Sequence, residues 1–328
     1  MFDLVGIGDP VIDTHVQIEE NCAKYQKVDA NMHLCFEYGE KIPIIDSFQA
    51  LGGNAPNVAI GAKRLGLTSA VVSTVGQDTN GKIAKSELKK QGVDTTYISA
   101  DPKHKSRYSI VLNYRGERTI LSYSDAKTYR WPNKFPATNW IYYTGLSKGF
   151  EVIQEKLLAH LAIHPTIRLA VNPGSYMLKY APTELNEAVA KADLLLVNLE
   201  EAEKISGTTL AATKSVAALI QKLNTLGAKE VALTDGAKGS WAGTADAVWH
   251  LDAYPIKVTS KTGAGDAFSS AYMAARFYGH DLAHALAWGT ANSTGVIQQH
   301  GPHAGLLDQA AIKKMIGKFP DIKPLFLT

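Results

Sequence analysis

An α/β fold, with a parallel sheet layered between helices and a small antiparallel β-sheet lid, follows from three features of this chain. Short apolar runs rich in β-formers alternate with amphipathic helical patterns, which implies a parallel sheet covered on both faces. Two other stretches show a period of two with one apolar face, as strands of a small antiparallel sheet do. The 328 residues, 45% of them hydrophobic, can bury a large core, and no linker, repeat or low-complexity segment divides them. One domain spanning residues 1–328 is therefore expected.

The elements follow in order. Leu4–Gly8, Ala70–Val75, Trp140–Thr144, Arg168–Asn172, Leu194–Asn198 and Glu230–Thr234 are the apolar strands. Gly6-Ile7-Gly8 follows the first strand, but Val11 stands where a dinucleotide fingerprint needs its third glycine, so a nicotinamide-dependent oxidoreductase is disfavoured. Met32, Leu34, Phe36 and Tyr38 alternate with His33, Cys35 and Glu37, and Tyr108, Ile110, Leu112 and Tyr114 repeat the pattern. A turn at Arg115-Gly116-Glu117 returns the chain as Thr119–Tyr123, so the lid is expected within about residues 14–46 and 106–124. Its apolar face needs cover, from a partner subunit or from the body. Asn54 reads as an N-cap, with Val58, Ala62 and Leu65 at helical spacing before Gly66; Gly92, Gly227 and Gly279 close further helices. Gly76 to Lys82 resembles a phosphate loop until Ile83 takes the place of its Ser/Thr.

Bulk properties narrow the function. A formal charge of +3 without a basic block argues against nucleic-acid binding. Cys22 and Cys35 make neither a disulfide framework nor a zinc cluster. No apolar stretch approaches membrane-spanning length, and the N-terminus carries an acid where a secretion signal needs bases, so a cytoplasmic protein is expected.

Four segments carry chemistry. In Lys261-Thr262-Gly263-Ala264-Gly265-Asp266-Ala267-Phe268, small residues precede a carboxylate and a helix whose Phe268, Ala271, Tyr272 and Ala275 share a face. The Gly263, Ala264 and Gly265 amides at a helix start attract an anion, while Asp266 would repel a stored one. That pairing suits phosphoryl transfer, with a base taking a proton and amides holding the moving charge. Asn198-Leu199-Glu200-Glu201 offers oxygens to hydrated Mg²⁺ and equally reads as a helix cap with first-turn acids. Thr234 to Gly239 offers a hydroxyl, Gly236 and Gly239 to a nucleotide, or forms an ordinary turn. Gly52-Gly53-Asn54-Ala55-Pro56-Asn57 admits a ligand against the backbone, with two amides for sugar hydroxyls, and Asp13 lies near the same rim.

Together these segments resemble the ribokinase-like (PfkB) carbohydrate kinase family over nearly the full length. Gly52–Asn57 looks like its N-terminal signature, Gly76–Gly81 like its Gly-x-Asp-x-x-Gly, Asn198–Glu201 like its Asn-x-x-Glu and Thr262–Phe268 like its C-terminal signature. The resemblance implies an ATP- and Mg²⁺-dependent kinase for an alcohol of a sugar, or of a nucleoside as the alternative, with a lid-mediated homodimer. It gives Asp266 the base position, Gly263–Gly265 the anion hole, and Asn198 and Glu201 the Mg²⁺–phosphate role. Thr234, Gly236 and Asn292 fall on nucleotide positions, and Asp13, Gly52, Gly53 and Asn57 on substrate positions. Monovalent-cation activation is not implied, because Ser260-Lys261 replaces the Asp-Thr that helps bind the ion; the Lys261 ammonium is a candidate stand-in. A non-catalytic sugar- or nucleotide-binding module would have no use for Asp266, Asn198 and Glu201.

Overall fold

The computed structural model describes residues 1–28, 31–115 and 117–327. Its strands in chain order are β1 (Phe2–Ile7), β2 (Val11–Ile18), β3 (Lys24–Val28), β4 (Asn31–Cys35), β5 (Ile44–Gly52), β6 (Ser69–Gly76), β7 (Ile98–Asp101) and β8 (Arg107–Tyr114). They continue as β9 (Glu117–Tyr123), β10 (Thr138–Tyr143), β11 (Arg168–Val171), β12 (Leu194–Asn198), β13 (Val231–Thr234), β14 (Ser240–Gly243), β15 (Val248–Leu251) and β16 (Leu325–Phe326). The main sheet has the order β16-β15-β14-β13-β12-β11-β10-β1-β6-β7. From β13 to β7 every pair is parallel, and the six predicted apolar strands all lie there. The edge β14–β16 is antiparallel, unlike the expected sheet. The short Asp235–Gly239 turn between β13 and β14 cannot make the long crossover a parallel partner needs.

Alternate residues along each central strand serve opposite layers. Leu195 and Val197 pack in one core with the helices Glu151–Ile163 and Val216–Thr225. Leu194 and Leu196 pack in the other with the helices Asn54–Arg64, Ala264–Phe277 and Leu282–Ile297. Both faces of the strands are thereby buried, which is why their sequences are continuously apolar.

The lid is a separate four-stranded sheet of order β5-β2-β8-β9. Two of its strands, β2 and β5, were not expected, and the period-two run at residues 32–38 is not part of it. That run is a strand only to Cys35 and pairs with β3 in a two-stranded arm, while Phe36 and Tyr38 lie beyond it. Of the expected turn at Arg115-Gly116-Glu117, Gly116 lies outside the described residues. Register places Asp13, His15 and Gln17 of β2 on one face with Phe48 of β5, Ser109 and Asn113 of β8 and Arg118 of β9. The opposite face carries Tyr108, Ile110 and Leu112, which remain half-exposed, beside Leu121 and Tyr123, which are exposed.

A buried polar knot anchors the lid where it leaves the body. The Asp9 carboxylate, just after β1, accepts from Tyr129 Oη (2.6 Å), Ser147 Oγ (2.8 Å) and Ser73 Oγ (3.2 Å). Lys127 Nζ, equally buried, stands 3.4 Å from Asp9 and donates to Thr74 O at 3.0 Å. Arg107, the first residue of β8, reaches the same carboxylate at 4.0 Å. Removing one partner leaves a buried charge without its counterpart, so Lys127→Met is expected to destabilise the fold by about 3–5 kcal/mol. An unchanged urea midpoint with unchanged slope would show the pair to be dispensable.

Candidate active site

The helix Ala264–Phe277 begins at Gly263, whose φ of 78° is left-handed and whose Cβ, if present, would meet Pro302 Cβ at 2.6 Å. Only glycine fits there. Asp266 lies in the first turn, half-buried, and its Oδ2 accepts from Asn57 Nδ2 at 2.7 Å. Asn57 belongs to the first turn of the helix Asn54–Arg64, whose cap position is Gly53 rather than the expected Asn54. With φ at 96°, Gly53 turns the chain where β5 meets that helix. Asn54 instead donates to Asn172 Oδ1 at 2.6 Å, tying the helix start to the end of β11.

A residue unmarked by any sequence motif completes the arrangement. His303 Nε2 lies 2.8 Å from Asn57 Oδ1. Burial, with the charge of Arg64, lowers the imidazole to about 4, so the ring is neutral at physiological pH. It then donates Nε2–H to Asn57 Oδ1, which leaves the Asn57 amino group facing Asp266. Burial lifts the Asp266 carboxyl to about 6, against the opposing pull of the Asn57 hydrogen bond. Among the described residues the N–H groups of Gly263, Gly265 and Asp266 find no acceptor, and that of Ala264 has Lys261 O at 3.5 Å. A Cβ on Gly265 would meet open space. The helix start therefore presents free donors beside a carboxylate.

Asn198, Glu201, Thr234, Asn54, Gly265 and Asp266 come together around one cavity of about 120 Å³. Asn198 caps the following helix, accepting from Glu201 N at 2.9 Å, while Glu201 Oε2 accepts from Asn198 N at 3.0 Å. The capping geometry is thus present, and it holds both oxygen-bearing side chains against the cavity. Burial raises the Glu201 carboxyl to about 7 against the Asn198 amide, and the nearby Asp266 charge adds to the rise. No cluster of three or more His, Cys, Asp or Glu forms a metal cage among the described residues. Two crowded carboxyls and an amide oxygen on one wall nevertheless fit a hydrated Mg²⁺, whose charge would relieve their repulsion.

Thr234, Gly236 and Gly239 line an adjoining cavity of about 160 Å³ with Ala264 and Gly265. Asn292 does not reach it. Its side chain is fully buried, donating to Ala267 O at 2.8 Å and accepting from Leu307 N at 2.8 Å. Its helical neighbours Ser293 and Thr290 line the cavity instead. On the lid side Asp13 sits within β2, and a Cβ on Gly52 would collide with its carboxylate. Burial raises Asp13, opposed by Ser109 and by the charges of Arg107 and Arg118. Lys261 is exposed and lines a further cavity under the lid with Ser260 and Thr262.

The raised Asp266 pKa has a stability consequence. An acid whose folded pKa exceeds its unfolded value favours the fold below about pH 4 and loses that contribution as pH rises through about 6. Asp266→Asn is expected to gain about 1–2 kcal/mol at pH 8, after discounting for partial exposure, and nothing below pH ~4. Thermal melts of both proteins at the two pH values read the difference; destabilisation at pH 8 would contradict the electrostatics described.

Comparison with known proteins assigns the whole. Residues 31–309 match the model of the pfkB family carbohydrate kinases. A ribokinase of Staphylococcus aureus is 26% identical over 275 residues, covering 82% of this chain and 89% of its own. A 5-dehydro-2-deoxygluconokinase of Bacillus licheniformis is 24% identical over 333 residues, covering 96% of both. The fold superposes on Arabidopsis thaliana ribokinase complexed with ribose and ATP with a TM-score of 0.77 at 20% identity, covering 96% of this chain and 98% of that one. With a shared architecture and a family match over most of its length, this chain belongs to the PfkB family of carbohydrate kinases.

Proposed function

We propose that the protein transfers the γ-phosphoryl group of ATP to a hydroxymethyl group of a sugar, with Asp266 as general base. The observation that carries this reading is the Asp266 carboxylate, oriented by Asn57 and set among N–H groups without acceptors at a helix start. The acceptor lies beneath the lid near Asp13, Gly52, Gly53, Asn54 and Asn57. ATP lies along Thr234, Gly236 and Gly239. Asp266 takes the hydroxyl proton as the acceptor oxygen bonds to phosphorus and the bond to ADP breaks. The Gly263, Ala264 and Gly265 amides stabilise the charge on the transferring group, so positioning and electrostatics supply most of the rate. Asn198 and Glu201 are the residues that would hold Mg²⁺, which would supply positive charge against the phosphates. The two relatives are named for different acceptors, so the family match does not choose the sugar.

Asp266→Asn is expected to fold and bind ATP while losing roughly 10²–10⁴ in turnover. In the wild type kcat/KM should fall as pH drops through about 6, because the base must be ionised. Substantial turnover in the variant would remove Asp266 from the base role. The reading also has the chain work as one domain, in the cytoplasm, and as a homodimer in which a second copy covers the apolar outer lid face of Ile110, Leu112 and Leu121. Light scattering should report twice the chain mass; a monomer at micromolar concentration would end the dimer proposal.

A further inference from the structure

The cavity under the lid, about 490 Å³, is built for more than hydroxyl groups. His15, Phe48 and Arg118 form its lid wall, and residues 259–262 with His300 form the wall opposite. His15 is only 4% exposed, yet its Nε2 has no hydrogen-bond partner. The ring is stacked on Phe48, centroids 4.6 Å apart and planes 3° from parallel, so its orientation is fixed. Burial, then the charges of Arg118 and His300, lower its pKa below the ordinary imidazole value. An unpartnered buried nitrogen is costly unless something outside the chain completes it.

Arg118 is the second observation. It is exposed, forms no ion pair within 4.0 Å among the described residues, and donates from Nη1 to Thr262 Oγ1. Thr262 precedes Gly263, so the guanidinium is pinned close to the helix start while its remaining donors are left for other use. The charged and titratable groups lining this space are Arg118, Lys261, His15, His300 and one acid, Asp46, with Asp13 two residues from His15 on the same strand face. Neutral hydroxyls would be served by Asp13, Asn57 and Gln17 alone. A guanidinium fork beside an imidazole donor matches a carboxylate or a phosphate.

We infer that the acceptor carries an anionic group, carboxylate or phosphate, which Arg118 and His15 Nε2–H receive between the lid and residues 259–262. This rests on the reading of the site as a sugar kinase, because that reading sets which end of the acceptor faces Asp266.

Calorimetric titration of the full chain without ATP tests it using matched pairs: D-gluconate against D-glucitol for carboxylate, and D-fructose 6-phosphate against D-fructose for phosphate. Hydrogen bonds to charged groups predict that the anionic member of at least one pair binds about tenfold or more tightly, and that added NaCl shrinks the preference. The pair showing the preference identifies the anion. Arg118→Gln, at an exposed position, should keep its melting temperature and reduce the ratio to about threefold or less. Equal binding within both pairs, no binding by either anion, or a preference that survives Arg118→Gln overturns the inference. Because binding is read without turnover, the two readings separate. An acid bound through Arg118 but never phosphorylated defeats the kinase mechanism alone, and phosphorylation of neutral sugars without anion preference defeats the anion site alone.

Discussion

The Asn57–Asp266 hydrogen bond joins residues 209 positions apart and brings the first turns of two helices to one point. Both turns direct unpaired N–H groups and partial positive charge toward the same space, so a carboxylate placed there gains from the dipoles. What it lacks is a cation. A lysine or arginine partner would depress the carboxyl and weaken it as a proton acceptor, whereas an amide orients it and leaves burial to raise it. His303 fixes which end of the amide faces the acid. The site thus combines a carboxylate raised to about 6 with donors that have no acceptor, two features that a fold selected for stability alone would avoid.

The lid inverts the usual amphipathic logic. Its polar residues, Asp13, His15, Gln17, Asn113 and Arg118, face inward over the cavity, and its apolar row faces outward. Only at its base do Ile12 and Leu51 join the body by hydrophobic burial, against Ala59, Ile60, Val71 and Val75. The Asp9–Lys127 knot adds to that packing where β8 starts, and Asp78 reinforces it by accepting from Ser106 N and Oγ one residue before the strand. The lid is therefore anchored at its root by a polar knot and by an apolar contact together.

This inversion explains what was legible in the sequence and what was not. Leu194–Asn198 and its parallel neighbours were readable because strands buried on both faces are apolar throughout. β2 was not, because its inward residues Asp13, His15 and Gln17 are an acid, an imidazole and an amide. The run at residues 32–38 has a clean period of two but no positional information, and it pairs locally with β3. At the site, Asp266 and Gly263 were marked by local spacing, and so were Asn198 and Glu201. Asn292, which the family resemblance put near the nucleotide, turns into the core, and Ser293, one residue on, faces the cavity. His303 was invisible because its partner Asn57 is distant in sequence and no motif links them. Motifs record what a segment does by itself, and long-range hydrogen bonds are written nowhere locally.

Residues Thr262–Asp266 form a wall common to three cavities. Thr262 faces the space under the lid, Ala264 and Gly265 the Thr234–Gly239 cavity, and Gly265 and Asp266 the cavity of Asn198 and Glu201. The wall is stiff on one side, where Gly263 is packed on Pro302 and its carbonyl accepts from Ala267 N at 2.9 Å. On the other side it is clasped by the lid through Arg118 and Thr262. Any outward movement of β9 must break that bond or pull on the residue that precedes the left-handed turn at Gly263. The lid and the start of the helix Ala264–Phe277 are thus tied to each other through one side-chain contact.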